Sequence, residues 1–200
     1  MQHSLKGALQ AMVDRIAEFV RPDQIVPAFL AGGTATWLHL KERGGSHADQ
    51  ARYSEDADIH FGRALVFDRN IAIAYEDDGG EQRLLSLDGS YSIDIGLRHP
   101  DCFEEAEYFL SSKNGRIRLY LLNPLDLAVT KTGRYQDHDR TDIALLAGAG
   151  LVDADRFRQR ATEALDYLAT DPALVQINID EAVELIETSR AESSEAGGDD

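Results

Sequence analysis

Apolar residues recur along the chain at two different spacings, and the pattern changes near Asn123. Before Asn123, short stretches with the period of two that is typical of β-strands alternate with helical stretches. After Asn123, only the 3.6-residue period of helices remains. The pattern predicts an α/β (α+β) fold, with a mixed β-sheet flanked by helices and a helical subdomain at the C-terminal end.

The predicted elements follow from these periods and from the turn residues between them. The first twenty residues predict an amphipathic helix, with Leu5, Leu9, Met12, Val13, Ile16, Phe19 and Val20 at helical spacing. Residues 25–31 form a short apolar segment that leads into Gly32-Gly33, and strands are predicted at residues 56–61, 71–75, 83–87, 91–97 and 116–121. Asp88-Gly89 indicates a hairpin turn between two of them. Further helices are predicted at residues 34–43, 124–135, 137–147, 153–169 and 179–189.

Three regions follow from this order of elements. Residues 1–122 form the predicted α/β core. Residues 123–190 form the helical subdomain, which begins where Asn123 can cap a helix and Pro124 can occupy its first position. Residues 191–200, with the sequence AESSEAGGDD, are acidic and lack aromatic side chains, so we expect a disordered tail whose deletion barely changes melting.

Composition narrows the classes of function. The formal net charge of -16 argues against a broad electrostatic grip on nucleic acid or an anionic membrane, although a local basic patch stays open. The single cysteine, Cys102, cannot form an internal disulfide, so a cytoplasmic location is expected. Charged residues interrupt the first twenty positions, so no secretion signal is expected there. The longest uncharged stretch, residues 25–40, is too short and too polar to span a membrane.

The stretch RYSEDADIHF carries two carboxylates inside an otherwise apolar strand. Because side chains alternate along a strand, Asp56, Asp58 and His60 share one face, and Ala57 and Ile59 point to the other face with Phe61. Two like charges at this spacing repel, and two divalent cations would relieve the repulsion. An exposed edge strand with solvated aspartates is the alternative. We expect His60 to support or pack against the site, because Mg²⁺ prefers oxygen ligands.

Two further segments could complete a site around these carboxylates. Gly32-Gly33-Thr34 opens a predicted helix, where glycine lets the backbone approach a ligand and free amides can bind phosphate. A plain strand-to-helix turn capped by Thr34 is the other interpretation. Asp94 lies on the alternating strand YSIDIGL, and a third carboxylate there would complete a metal triad and could accept a proton.

This order of motifs resembles the nucleotidyltransferase superfamily that shares the DNA polymerase β palm. The likeness is closest to bacterial abortive-infection and toxin-antitoxin nucleotidyltransferase-like proteins, and it spans roughly residues 25–150. It rests on the segments GGTA, RYSEDAD and PLDLAVTKTGRYQDHDRTD. The resemblance implies that Asp56 and Asp58 bridge two Mg²⁺ ions and that Asp94 holds the metal that activates the acceptor, with Mn²⁺ as an alternative cation. It also implies triphosphate contacts from Gly32, Gly33 and Ser54.

Lys131 and Arg134 lie one turn apart in the predicted helix after Pro124 and could both bring positive charge to phosphates. We expect Lys131 on an accessible helix face. Asp142 could orient Lys131 from the next helix, and Asp139 is expected to act as a helix-start charge together with Asp137. A solvated basic pair is the alternative.

The sequence thus predicts a Mg²⁺-dependent nucleotidyltransferase that moves a nucleoside monophosphate from an NTP to a hydroxyl on RNA, protein or a small molecule. The resemblance implies a setting in toxin-antitoxin or phage-defence systems, with a cognate toxin or antitoxin as partner and no membrane. The rival hypothesis is a catalytically silent nucleotidyltransferase-like module that acts by binding or as an antitoxin. An accidental likeness in a scaffold protein is the third.

Overall fold

The computed structural model describes residues 4–67, 70–88, 96–169 and 171–196. Its α-helices are α1 (Leu5–Ala17), α2 (Gly32–Arg43), α3 (Pro124–Thr132), α4 (Asp137–Gly148), α5 (Ala154–Leu165) and α6 (Pro172–Ala196). Its strands are β1 (Val26–Ala31), β2 (Asp56–Phe61), β3 (Ala72–Glu76), β4 (Gln82–Leu87), β5 (Glu107–Ser111) and β6 (Ile117–Leu121). Short 3-10 helices occupy Gly45–Gln50 and Pro100–Phe103. The predicted mixed α/β fold is confirmed.

The six strands form one mixed sheet in the order β3-β4-β2-β1-β6-β5. Strand β1 runs antiparallel to β2 and parallel to β6, so the strand before the Gly-Gly pair lies beside the strand that carries the aspartates. Strand β2 in turn pairs in parallel with β4. One face of the sheet is apolar and buried, with Ala28, Leu30, Ile59, Leu85 and Leu119 among its residues.

The chain divides into two compact units that are each assembled from several segments. Unit 1 contains Met1–Thr34, Tyr53–Tyr91 and Ala106–Leu121, and unit 2 contains Ala35–Arg52, Ser92–Glu105 and Leu122–Asp200. The residues after Leu121 all belong to unit 2, which also takes in two segments from the earlier part of the chain.

In unit 1, α1 packs against β3, β4, β5 and β6. Its first turn is capped by Ser4, whose hydroxyl accepts a hydrogen bond from the Gly7 amide at 3.0 Å. The buried side chains recur at the predicted helical spacing. The helix ends at Ala17, earlier than predicted, and Phe19 is exposed beyond its end.

In unit 2, α3 begins as predicted, because the side chain of Asn123 accepts from the Asp126 amide at 2.8 Å and Pro124 occupies the first turn. The helix ends at Thr132, three residues earlier than predicted. A Cβ on Gly133 would lie 2.9 Å from the backbone nitrogen of Leu97, and Tyr135 adopts a left-handed φ of 52°. Helices α4 and α5 then pack against α6.

Strand β5 was not predicted. It lies at the edge of the sheet and has a register shift between Tyr108 and Leu110, so its alternation of exposed and buried residues is weak. The predicted strand 91–97 and the Asp88-Gly89 turn fall largely outside the described residues. The hairpin that the structure does show joins β3 to β4, where Asp77 Oδ1 accepts from the amides of Gly79 and Glu81, both at 2.9 Å.

The prediction of disorder throughout residues 191–200 is wrong for residues 191–196, because α6 continues to Ala196. The hydroxyls of Ser189, Ser193 and Ser194 donate back to carbonyls one turn earlier in the helix. Ser193 also lies 3.2 Å from Nε2 of His47. Alanine and glutamate favour helix, so the composition that suggested disorder is also compatible with a helix that has a partner to pack on. In the described part of the chain, no helix has the length and apolar character needed to cross a membrane.

Candidate functional site

The turn from β1 into α2 brings the Gly-Gly pair against the aspartate strand. Ala31 is opposite Asp58 in the antiparallel register, and the next residue, Gly32, has a left-handed φ of +64°. A Cβ on Gly32 would lie only 1.7 Å from Oδ2 of Asp58. Glycine is therefore required at this position on two counts, the backbone conformation and the space that the carboxylate occupies.

The next two residues fasten the start of α2 to β2. A Cβ on Gly33 would lie 3.1 Å from Cβ and 3.2 Å from Oγ of Ser54. The buried Thr34 donates its hydroxyl to the carbonyl of Asp56 at 2.6 Å, and Ser54 donates to the same carbonyl at 3.2 Å. The hydroxyl of Thr34 thus holds β2 in place, and a ligand at this helix start would meet the amides of the first turn, which have no intrahelical acceptor.

The two carboxylates lie on the face opposite the buried residues, as the alternation predicts. Ala57 and Ile59 are buried, Asp56 is exposed, and Asp58 is half-buried. Phe61 is only half-buried, and its ring packs edge-on against Phe67 at a centroid distance of 5.7 Å. Within the described part of the chain, Asp56 forms no ion pair.

The third predicted carboxylate, Asp94, lies outside the described residues. Among the residues that are described, no group of three or more histidine, cysteine, aspartate or glutamate side chains is arranged to hold a metal ion. Asp56 and Asp58 alone provide carboxylate oxygens on one strand face, the ligand type that Mg²⁺ and Mn²⁺ prefer. The donor chemistry fits the implied cation, and a complete ligand set requires at least one further oxygen group.

In unit 2, the structure overturns the expectation that Lys131 is accessible. Its side chain is only 6% exposed, and its Nζ donates to Oδ2 of Asp142 at 2.6 Å. Oδ1 of Asp139 lies 3.8 Å away. The helix spacing did not reveal this burial, because α3 has buried side chains on most of its circumference. The expected contact between Asp142 and Lys131 is present.

Arg134 lies beyond the end of α3 and binds Asp139, the carboxylate that also lies near Lys131. Its Nε and Nη2 contact the two oxygens of Asp139 at 2.9 and 3.0 Å. Asp139 also accepts from the Gln136 amide at 3.1 Å, which matches its expected role at the start of α4. Burial disfavours the charged carboxylate, but the Arg134 hydrogen bond, the charge of Lys131 and the Gln136 amide outweigh it, so the pKa of Asp139 is below its usual value.

Cys102 offers no competing site. It is fully buried, and burial raises the pKa of its thiol to about 11, so the thiolate needed for nucleophilic chemistry is rare at neutral pH. Cys102 is therefore best described as a buried core thiol.

The predicted site residues therefore form two groups. Unit 1 brings together Gly32, Gly33, Thr34, Ser54, Asp56 and Asp58, and unit 2 contains Lys131 and Arg134. Sequence reasoning missed the aromatic side chains that share the sheet face of Asp58, although Tyr120 alternates with buried leucines in β6 and could have been noticed. No family model matches the chain, and neither the curated proteins nor the solved structures contain a match to it.

Proposed function

We propose that the protein is a Mg²⁺-dependent nucleotidyltransferase, which moves a nucleoside monophosphate from an NTP to a hydroxyl acceptor. One observation carries the proposal: the Asp58 carboxylate lies directly against Gly32 at the first turn of α2. This contact places a group that binds cations beside a group that binds anions. Metal-bound polyphosphate needs both, at close range.

Each residue has a defined task in this reaction. The amides at the start of α2 bind phosphate oxygens, with Gly32 and Gly33 leaving room for the polyphosphate. Asp56 and Asp58 hold Mg²⁺, which neutralises charge on the attacking and leaving oxygens when it is bound. Thr34 and Ser54 fix the backbone of β2 through the carbonyl of Asp56.

The reaction is a substitution at the α-phosphorus of the NTP. The acceptor oxygen forms a bond to this phosphorus, the bond from the phosphorus to the bridging oxygen of the β-phosphate breaks, and pyrophosphate leaves with that electron pair. The acceptor proton passes to a carboxylate or to water. In this proposal, Asp94 is the carboxylate that would receive it.

The two cations that the sequence predicted for phosphate binding, Lys131 and Arg134, take structural roles in unit 2. Lys131 is buried between Asp139 and Asp142, so we assign it to holding α3 against α4. The side chain of Arg134 is 59% exposed, and its guanidinium contacts both oxygens of Asp139, so we assign it to the start of α4. The motif likeness to abortive-infection proteins leads us to propose a cytoplasmic role beside a cognate toxin or antitoxin.

The test uses NTPs radiolabelled at the α-phosphate, incubated with the purified protein, Mg²⁺ and either total RNA or cell lysate. We expect label to move into a macromolecule or small product, and to stay in the NTP when EDTA is present. Asp58→Asn should abolish transfer. Asp78→Asn, an exposed aspartate of the β3–β4 turn, is the matched control and should retain it. Loss of transfer in both variants, or label unaffected by EDTA, contradicts the assignment.

One observation favours the rival function, a silent module that binds nucleotide. The buried group in unit 2 uses the positive charge of Lys131 internally, which leaves fewer cations to stabilise a developing phosphate charge. This module would show stabilisation by Mg²⁺ and NTP without labelled product in any extract. Transfer to any acceptor would exclude it.

A further inference from the structure

Four aromatic rings form a continuous row across four strands of unit 1. The ring of His60 on β2 lies 6.5 Å from that of Phe29 on β1, measured between centroids. Phe29 stacks on Tyr120 of β6 at 5.6 Å, and Tyr120 meets Tyr108 of β5 edge-on at 5.9 Å. In the strand register, these residues oppose one another and share the sheet face of Asp58.

The row becomes more exposed toward the edge of the sheet. Phe29 is buried, His60 and Tyr120 are half-buried, and Tyr108 is 61% exposed. In contrast, Tyr75 and Tyr135 are buried. An exposed tyrosine at the end of an aromatic row offers a π surface to solvent, and burying that surface against a flat ring is favourable.

A cation lies on the same sheet face as the open end of the row. Arg118 is two residues before Tyr120 on β6, so both side chains point to the same face. It is opposite Ser111 of β5 and Pro27 of β1 in the register. Arg118 is exposed and forms no ion pair with any described residue, so its charge is available to an anion.

We infer that the aromatic row is a binding surface for single-stranded nucleic acid. Unpaired bases would stack on Tyr108 and Tyr120, and Arg118 would contact one backbone phosphate. This ligand matches both features at once, because it repeats a flat ring and a negative charge along one chain. A purely apolar partner would leave Arg118 without a use, and duplex nucleic acid keeps its base faces hidden.

The acidity of the whole protein constrains how such a ligand binds. With a net charge of -16, the protein repels a polyanion at long range, so affinity must come from short-range stacking. At about 0.15 M salt, the repulsion is screened beyond roughly 8 Å. A single arginine contact predicts a shallow salt dependence. A plot of log binding constant against log salt concentration should have a slope of about −0.7, the value for one neutralised phosphate on a single strand.

The experiment measures fluorescence anisotropy of labelled oligouridine and oligothymidine, each about ten nucleotides long, with a duplex of equal length as comparison. It uses the full chain without NTP, so its result does not depend on the proposed transfer reaction. We expect both single strands to bind more tightly than the duplex. The tighter of the two identifies whether RNA or DNA is the natural class.

Matched variants locate the surface. Tyr108→Ala should weaken single-strand binding about tenfold, the effect of losing one stacked base. Tyr167→Ala removes a tyrosine of similar exposure, 67%, from unit 2 and should change nothing. Arg118→Gln should flatten the salt slope toward zero, and Arg156→Gln, another exposed arginine, should not.

Three results would overturn the inference. The first is no binding of either single strand at protein concentrations up to about 0.1 mM, the weak limit of typical non-specific nucleic-acid binding. The second is equal loss of affinity in Tyr108→Ala and Tyr167→Ala. The third is tighter binding to the duplex than to either single strand, since charge rather than stacking would then account for it.

Discussion

The protein contains two pairs of aspartates whose surroundings are opposite. Asp56 of unit 1 is exposed and Asp58 is half-buried, and both share a strand face beside the glycines of a helix start. Asp139 and Asp142 of unit 2 are almost fully buried, and Lys131 lies between them. No described cationic side chain forms an ion pair with Asp56 in the first pair, whereas Lys131 neutralises charge in the second pair.

The difference separates charges that the fold compensates from charges that we propose to bind a ligand. A buried carboxylate must be compensated within the fold, because an isolated charge in the interior is very costly. The exposed Asp56 is not under that requirement, so a cation from solution can neutralise its charge. The four predictions that follow test this division, beginning with the largest expected effect.

Lys131→Met should lower the free energy of unfolding by about 3–5 kcal/mol, because it leaves Asp139 and Asp142 buried without the amine that neutralises them. Urea denaturation at neutral pH measures the loss. The control is Arg158→Ala, which breaks an exposed ion pair with Asp180 and should cost about 0.5 kcal/mol or less.

A double variant tests whether the loss of stability comes from the uncompensated buried carboxylate. Lys131→Met combined with Asp142→Leu removes both members of the closest contact of the Lys131 amine and should recover most of the lost stability. If Lys131→Met keeps the wild-type free energy of unfolding but loses nucleotide binding, the Lys131 amine belongs to the ligand site. The two aspartate pairs would then not differ in the way described.

Ligand removal should have a smaller effect than the loss of Lys131. Mg²⁺ with NTP at about one hundred times the dissociation constant should stabilise the wild-type fold by about 2.7 kcal/mol, and EDTA should remove the gain. Asp58→Asn should abolish the stabilisation because it removes a cation ligand. Melting curves in EDTA, Mg²⁺ alone and Mg²⁺ with each NTP measure this, and the absence of any shift in wild type at millimolar nucleotide would argue against the proposed site.

Gly32→Ala tests how closely the helix start and the carboxylate are fitted. Both Gly32 and Gly80 have positive φ, but an added Cβ meets Asp58 Oδ2 at Gly32 and nothing within 4 Å at Gly80. Gly80→Ala should therefore show the backbone strain alone, about 1–2 kcal/mol. Gly32→Ala should lose about 2 kcal/mol more in urea denaturation, since Asp58 must move. Equal losses would mean that the carboxylate can move away at no cost.

Much of the sheet and the starts of α3, α4 and α5 could be predicted, because local patterns specify them. The start of α6 at Pro172 was predicted wrongly, at residue 179. The alternation in β2, the cap at Asn123 and the Gly-Gly pair after β1 are all encoded within a few residues. The edge strand β5 was not predicted, because its register shift breaks the period of two. The end of α6 escaped because Ser193 is placed near His47, a residue far away in sequence.

The candidate site was also predictable only in part. The proximity of Gly32 to Asp58 follows from the pairing of two adjacent strands, which short motifs can suggest. The burial of Lys131 does not follow from its spacing, because neighbours on α3 are buried on most sides and only the packing of α4 decides which face is accessible. Charge compensation depends on contacts between different helices. The spacing of apolar residues within one helix does not indicate these contacts.

Asp56→Asn should have the smallest effect, and it tests the open pair directly. Two carboxylates separated by about 6–7 Å repel by roughly 0.6 kcal/mol in water-like surroundings, so removing one charge should leave metal-free stability unchanged or raise it by up to about 0.5 kcal/mol. Urea denaturation in EDTA measures this, with Asp139→Asn as the counterpart in the buried group, where a large loss is expected because its bonds to Arg134 and the Gln136 amide are weakened. A loss above about 1 kcal/mol for Asp56→Asn exceeds what an exposed substitution normally costs. Such a loss would show that the fold already neutralises Asp56, and the contrast between the exposed Asp56 and the buried Asp139 would then fail.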